Sequence, residues 1–467
     1  MNCFYVRTAL LACAIAQALP GCTVGPDYQG PPAVANEAVQ AGQLRRAESM
    51  TPQQPELAHW WLALNDTQLN SLIDLALSAS PDLDIARARV RQAYAGFEGK
   101  RSDTLPKLNA NAGELIRGSD DAPVSRYYVS GLMASWELDL FGAGRRASEG
   151  AEAKAQASDA DLADARLQLT AQVAQAYLEL RSRQLRAAKT RQALELEQRM
   201  LQLSEARYGA GTVSAGDVER FSTQAQQTEA GLIALEGQID ESLDQLALLC
   251  GQAPGSLDTR LVAPAPMPQV QSPPAVGSPA DLLRQRPDIR AAERHLAASN
   301  ALVGEKRADA FPKVTLLGSL SFAGDNAADL WHKGNLGWLG VPYLQWNLLD
   351  FGRNRHMVEQ AQAQHDEALA QYTSSVLSAL RDANVALSRF GHDRRRVEVL
   401  RQAEASAVRS AELSEQRYLG GTRSALDWLD AERTRNDAEQ QRISGEAQVL
   451  ASYVTLQKSL GLGWQSE

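Results

Sequence analysis

The chain contains two copies of one sequence pattern, and this internal repeat constrains its fold more than any other feature. At an offset of 210 residues, ten of fifteen positions are identical between 203–217 and 413–427. The same offset aligns Trp136 with Trp346, each within a short apolar stretch. Because separated blocks keep their order, the chain is a duplication of one structural unit.

The repeat predicts the domain organisation. A basic residue, Arg7, and a short apolar run precede the sequence Leu-Pro-Gly-Cys at 19–22, which is the pattern of a cleaved secretory signal. The cut site resembles a bacterial lipobox, which implies a lipid-modified Cys22; a chance match in an ordinary signal peptide is the alternative. Seven prolines between 254 and 279 indicate an extended linker between the copies. The predicted divisions are a signal peptide at 1–21, a lipid-anchored N-terminal segment at 22–65, a first repeat at 66–253, the linker at 254–279, a second repeat at 280–463 and a C-terminal end at 464–467.

Each copy is predicted to fold as helix, strand, strand, long helix, turn, long helix. Residues 151–208 contain neither Gly nor Pro, and a helix of that length spans roughly 87 Å at 1.5 Å per residue. Gly391 is expected to interrupt the corresponding helix of the second copy. The first long helix is predicted to open at Gly142 or Gly144 and to run through 208. The predicted strands are 107–117, 127–140, 313–322 and 338–348, and the other predicted helices are 66–104, 214–250, 280–310, 353–418 and 424–460.

Composition and motifs exclude several classes of protein. A net charge of −9 argues against a nucleic-acid partner, and after residue 22 no apolar run reaches the roughly 18 residues of a membrane-spanning helix. Cys250 lies alone in an apolar stretch and is expected to be a small buried residue. No catalytic signature is present, and no metal site or cofactor is predicted, so we expect that the protein is not an enzyme.

Four strands in one chain cannot close into a membrane barrel, since the smallest such barrels have eight. An open sheet would leave edge groups unpaired in lipid, so strands that enter a membrane must be shared among several chains. Two alternatives remain open: a lipid-anchored periplasmic coiled-coil scaffold without a pore, and a passive general porin. The scaffold explains the long helices but not the strand pair that recurs in both copies.

The sequence resembles outer-membrane efflux factors of the TolC/OprM type, and among them the NodT-like lipoprotein branch. The resemblance covers nearly the whole mature chain. Its motifs are CTVGPDY at 22–28, WELDLFG at 136–142, RYGAGTVS at 207–214, QRPDIRAAER at 285–294, FPKV at 311–314, LDFGR at 349–353 and RYLGGTRSALDWLDAER at 417–433.

The resemblance implies a mainly α fold with a small β part. A homotrimer would join an α-helical periplasmic barrel to a 12-stranded outer-membrane β-barrel, with four strands per chain. Such a trimer is the exit duct of a tripartite efflux system that exports small molecules such as drugs, with a periplasmic adaptor protein and an inner-membrane pump as partners. It also implies that Cys22 carries covalent lipid in the outer membrane. The transported substrate and the cognate adaptor are not fixed by the sequence.

The family's periplasmic gate can be transferred to matching residues. Two aspartates three residues apart share a helix face, and threefold symmetry would place six carboxylates around one constriction that favours cations. A solvated helix start, where Asp is favoured anyway, is the alternative interpretation. The implied gate residues are Tyr418, Arg423, Asp427, Asp430, Arg433 and, in the first copy, Asp217; the expected adaptor contacts are Gly211, Thr212, Gly421 and Thr422.

Overall fold

The computed structural model describes residues 23–41, 43–46, 59–119, 122–270 and 276–464. The predicted signal peptide and Cys22 lie outside these residues. The chain divides into two compact units, which we name by their main content. The strand unit comprises Met1–Ala33, Ala88–Ala160 and Arg290–Ser374, and the helix unit comprises Val34–Arg87, Asp161–Ile289 and Ser375–Glu467.

The described residues form ten α-helices and four strands, in the same order in both copies. The first half contains α1 (Asn36–Gln40), α2 (Thr67–Ala79), α3 (Pro81–Ser102), β1 (Lys107–Ser119), β2 (Ala122–Leu138), α4 (Ala143–Gly209) and α5 (Ala215–Leu249). The second half contains α6 (Asp258–Leu261), α7 (Pro279–Gln285), α8 (Pro287–Ala308), β3 (Lys313–Gly324), β4 (Leu336–Gln345), α9 (Arg353–Leu419) and α10 (Ala425–Ser459).

Three helix predictions need correction. The helix expected at 66–104 is two helices, because Ser80 is extended before Pro81, and the one expected at 280–310 breaks in the same way at Arg286. The predicted interruption at Gly391 is wrong, since α9 runs through it. A glycine inside a helix costs about 1 kcal/mol, and packing of the neighbouring buried Phe390 offsets such a cost.

The strands form one antiparallel sheet in the order β1-β2-β3-β4. The β1–β2 hairpin is longer than predicted: β1 continues through Gly118 and β2 begins at Ala122. The last strand ends three residues before the predicted 348, because the ladder begins where Lys313 pairs with Gln345. The preceding Pro312 has no N–H to extend that pairing.

The core of the helix unit is built on α2 and α4. Asp66 caps α2 by accepting a hydrogen bond from the Leu69 amide at 2.9 Å, and its other oxygen accepts one from the Tyr177 hydroxyl at 2.7 Å. The fully buried Arg181 donates to the Ala263 carbonyl at 2.8 Å, so the start of the linker is bound to α4. Among the residues that the structure describes, no helix combines the length and apolar character needed to cross a bilayer.

The long helices of the helix unit lie side by side in the order α5, α4, α10, α9. Arg191 of α4 pairs with Glu236 of α5 at 2.7 Å. On its other side, α4 meets α10 where Arg186 donates to Gln440 at 2.9 Å. The α10–α9 contact includes an ion pair of 2.6 Å between Arg442 and Glu404. α5 and α9 are therefore the two outer helices of the row.

Candidate functional site

The two turns that join the long helices have the same backbone structure. Gly211 and Gly421 adopt φ values of +71° and +73°, a conformation that glycine reaches without steric cost. The Thr212 hydroxyl donates to the Arg207 carbonyl at 3.0 Å, and the Thr422 hydroxyl makes the equivalent bond at the same distance. These four predicted adaptor-contact residues, Gly211, Thr212, Gly421 and Thr422, are all exposed.

Each turn is followed by a helix N-terminal capping box, and one of the predicted gate aspartates belongs to each box. The Ser424 hydroxyl donates to Asp427 at 2.9 Å, while Asp427 offers its own amide to Ser424. These hydrogen bonds, from the Ser424 side chain first and its backbone second, hold the pKa of Asp427 below its usual value, and the Arg423 charge adds to them. Asp217 is held in the same way by Ser214, with its pKa also lowered.

The other charged residues of the predicted gate are exposed along the start of α10. The Arg423 guanidinium lies 3.9 Å from Asp427, and both side chains are 46% exposed. Asp430 and Arg433 are exposed one turn further on, and neither forms an ion pair with another described residue. Asp430 is therefore a carboxylate with free acceptor atoms, whereas Asp427 is already engaged as a cap.

Tyr418 occupies an apolar cluster beneath the turns. Its ring stacks on Trp428 with centroids 5.3 Å apart, and the Arg207 guanidinium lies 5.2 Å above it. The cluster also includes Met200 and Phe221, and it borders a cavity of about 170 Å³. The Tyr418 hydroxyl is buried and has no hydrogen-bond partner among the described residues.

Sequence reasoning missed Arg207, Trp428 and Phe221 as members of this site. Trp428 stands inside the motif that carried the resemblance, directly after Asp427, so a large apolar residue in the first turn of a helix was the available signal. The structure brings the two turns, the two capping boxes and Tyr418 together at one end of the helix row.

The sheet of the strand unit carries a second candidate surface. Side chains that alternate along paired strands share a face, and one face is apolar in all four strands. Its exposed members include Trp338, which is 83% exposed, and Leu108, Leu132, Trp136, Leu316, Leu320 and Leu344. The opposite face is mixed. It carries polar side chains on β1 to β3, among them Asn109, Asn111, Ser135, Thr315, Ser319 and Ser321, and exposed apolar ones, among them Leu115, Met133, Leu317, Leu339 and Val341.

Within the described ranges, no three His, Cys, Asp or Glu side chains are grouped as a metal ion would require. Cys250 is buried against α2, and this burial raises the pKa of its thiol to about 11. Neither observation supplies a reactive or metal-binding centre.

Residues 72–252 and 279–462 match the family described as Outer membrane efflux protein. The chain belongs to this family. It is 33% identical over 425 residues to the Pyoverdine export outer membrane protein OpmQ of Pseudomonas aeruginosa, covering 88% of this chain and 89% of that protein. It is 30% identical over 453 residues to Nodulation protein T of Rhizobium leguminosarum bv. trifolii, covering 96% and 95%.

The fold agrees with this assignment. The solved outer-membrane channel OprN superposes with a TM-score of 0.88 at 34% identity, over 95% of this chain and 100% of that chain. The predicted TolC/OprM-type family, the mainly α fold class with a small β part, the efflux-channel function and the outer-membrane location extending into the periplasm are thus confirmed. OpmQ is an export protein and OprN is a channel.

Proposed function

We propose that three copies of this chain form one gated exit duct, which works with a periplasmic adaptor protein and an inner-membrane pump. The observation that carries this proposal is the sheet, with one exposed apolar face and two edge strands. Within the described residues, β1 and β4 each pair on one side only. A bilayer offers no water to satisfy the free edge groups, so strands from other copies must close the sheet.

The alternating faces support a pore over a scaffold. An apolar face that includes Trp338 and Trp136 suits lipid, and the polar side chains that β1 to β3 carry on the opposite face suit a water-filled passage. A periplasmic scaffold without a pore has no use for an exposed apolar sheet. Covalent lipid on Cys22 would hold the N-terminus of each copy at the same membrane.

The gate of this duct lies at the start of α10. Threefold symmetry brings the exposed carboxylates of three copies to one constriction, where they attract cations and disfavour anions. Asp430 is the main contributor, because the side chain of Asp427 is occupied by its capping box. The gate also includes Tyr418, Arg423, Arg433 and Asp217. The adaptor protein binds the exposed turns, at Gly211, Thr212, Gly421 and Thr422.

Conductance of single channels in a planar bilayer tests the proposal. We expect a small, cation-selective conductance for the wild type, a larger conductance for Asp430→Ala, and the largest for Asp427→Ala/Asp430→Ala. Asp240→Ala is the matched control, because Asp240 is an exposed aspartate on α5, 25 residues beyond the start of that helix. Its conductance should equal that of the wild type.

Three outcomes would overturn parts of this proposal. Absence of conductance in every variant would favour the scaffold. A large wild-type conductance unchanged by mutation would leave an ungated porin. An equal increase in the Asp240→Ala control would show that loss of negative charge in general, rather than the α10 site, opens the channel.

A further inference from the structure

The cavity of about 170 Å³ beside the Tyr418 cluster lies where the two repeats meet, and we call it the turn cavity. All four long helices contribute to its lining. The lining includes Met200 and Arg207 of α4, Phe221 of α5, Tyr418 of α9, Arg423 of the second turn and Trp428 of α10. A molecule held in the turn cavity would therefore contact both helix pairs of one chain at once.

The size and the walls of the turn cavity select a small planar ligand. An engineered cavity of about 150 Å³ in another protein holds one benzene molecule, so this space suits a single ring. Its walls are apolar and aromatic: Phe221 is 2% exposed, and Trp428 stacks on Tyr418 with centroids 5.3 Å apart. An aromatic ring packs favourably against such side chains.

The free polar groups of the turn cavity are able to donate hydrogen bonds. Arg207 and Arg423 are both exposed, and a guanidinium can donate but not accept. Ser204 and Tyr418 also belong to the lining, and the buried hydroxyl of each has no hydrogen-bond partner among the described residues. A ligand group that accepts several hydrogen bonds would satisfy these donors.

The carboxylates near the turn cavity are already engaged. Asp217 belongs to the lining, but it accepts two hydrogen bonds within its own capping box, at 2.8 and 3.1 Å. Asp427 is held in the same way and lies 3.9 Å from Arg423, beyond hydrogen-bonding distance. The partner of Arg207 is the ring of Tyr418 rather than a carboxylate. Both guanidiniums are therefore available to a carboxylate brought by a ligand.

We propose that the turn cavity binds a one-ring aromatic carboxylate. The ring lies against Phe221 and Trp428, and the carboxylate, which only accepts hydrogen bonds, pairs with Arg207 and Arg423. Because such a ligand contacts four helices, it stabilises the arrangement of the two turns in this structure and thereby lowers the conductance of the duct. The site needs only one copy of the chain, whereas its effect on conductance rests on the proposed function.

Isothermal titration calorimetry of the full chain in detergent, with benzoate as the probe, tests the site. After subtraction of a titration into detergent alone, we expect saturable binding of about one benzoate per chain. Acetate lacks the ring and benzyl alcohol lacks the carboxylate, so each should bind at least about tenfold more weakly. Acetate binding as tight as that of benzoate would show that the arginines attract any anion and would overturn the proposed site.

Variants of the lining locate the bound benzoate. Arg207→Gln should weaken its binding at least about tenfold, because a charged donor is lost. Arg199→Gln is the matched control, since Arg199 is exposed on the same helix about 12 Å away, and it should bind as the wild type does. Ala425→Phe should fill the cavity and abolish binding. Tyr418→Phe keeps the buried ring and should weaken binding through loss of the hydroxyl alone, so the test does not depend on the larger substitution folding. Wild-type affinity in Arg207→Gln would overturn the site.

Single-channel conductance with and without benzoate separates this site from the proposed duct. Benzoate should lower the conductance of the wild type and leave Arg207→Gln unaffected. Saturable binding with unchanged conductance would overturn the effect on the gate. Saturable binding to a protein that never conducts would overturn the proposed duct, and with it that effect, but not the site. A conducting wild type that binds no benzoate would overturn the site and leave the duct intact.

Discussion

The two turns between the long helices, which we call the tips of the repeats, have the same backbone conformation but bury different side chains. Tyr208 and Tyr418 occupy equivalent positions in the last turns of α4 and α9, yet Tyr208 is 53% exposed and Tyr418 only 9%. The difference lies across the turn, where the second repeat places Trp428 and the first has the smaller Val218. Trp428 stacks on Tyr418 and covers it.

The two tips also differ in one charged position, although they keep the same capping residue. The capping aspartate is present in both repeats, but Arg220 stands in the first where Asp430 stands in the second. Duplication has therefore kept the residues that make the turn and start the helix. The residues that would line a constriction have diverged, so the two halves of one chain can contribute different parts to a gate.

The largest expected effect comes from removing the aromatic residue that distinguishes the second tip. Trp428→Ala deletes a side chain that is 9% exposed, and truncation of buried Trp typically costs about 3–5 kcal/mol. Hydrogen exchange of amides in 418–430 should accelerate accordingly, because local opening becomes easier. Val218→Ala in the first repeat is the control and should change exchange little; an equal effect at both tips would refute the comparison.

An intermediate and equal effect is expected from the two capping boxes. Ser214→Ala and Ser424→Ala each remove a hydroxyl that accepts from the N3 amide, a loss of about 1 kcal/mol per helix start. Exchange of the first-turn amides of α5 and α10 should rise by similar factors. A clearly larger effect in one repeat would show that the two caps are not equivalent.

The same boxes predict a pH dependence. Because the folded pKa of Asp427 is depressed below 3.8, its contribution to stability is complete above that pH and is lost as pH falls through the lower, folded pKa. Exchange at the α10 start should therefore accelerate only below about pH 4. In Ser424→Ala this acceleration at low pH should become smaller, because the main cause of the depression is gone and the folded pKa of Asp427 moves towards its unfolded value.

Sequence alone predicted the long helices well because 151–208 contains no residue that breaks a helix. It missed the breaks before Pro81 and Pro287, although the rule that extends a residue preceding proline was available. Gly391 was wrongly treated as a break, because the packing that offsets its cost is tertiary. The burial of Tyr418 depends on Trp428 across the turn, and no local pattern distinguishes it from Tyr208.

The smallest expected stability effect belongs to the ion pair that only the second tip has. Arg423 and Asp427 are 3.9 Å apart and half exposed, and such solvent-screened pairs contribute little or nothing measurable. Arg423→Gln should therefore leave hydrogen exchange at the start of α10 nearly unchanged, and Val213→Arg should not measurably stabilise the turn of the first repeat. The proposed gate predicts a different effect of the same substitution on transport. Loss of Arg423 changes the charge at the constriction in all three copies at once. Single-channel conductance and ion selectivity should therefore shift, while stability does not. A variant that alters neither would remove Arg423 from the gate and leave Asp430 as its main charged element.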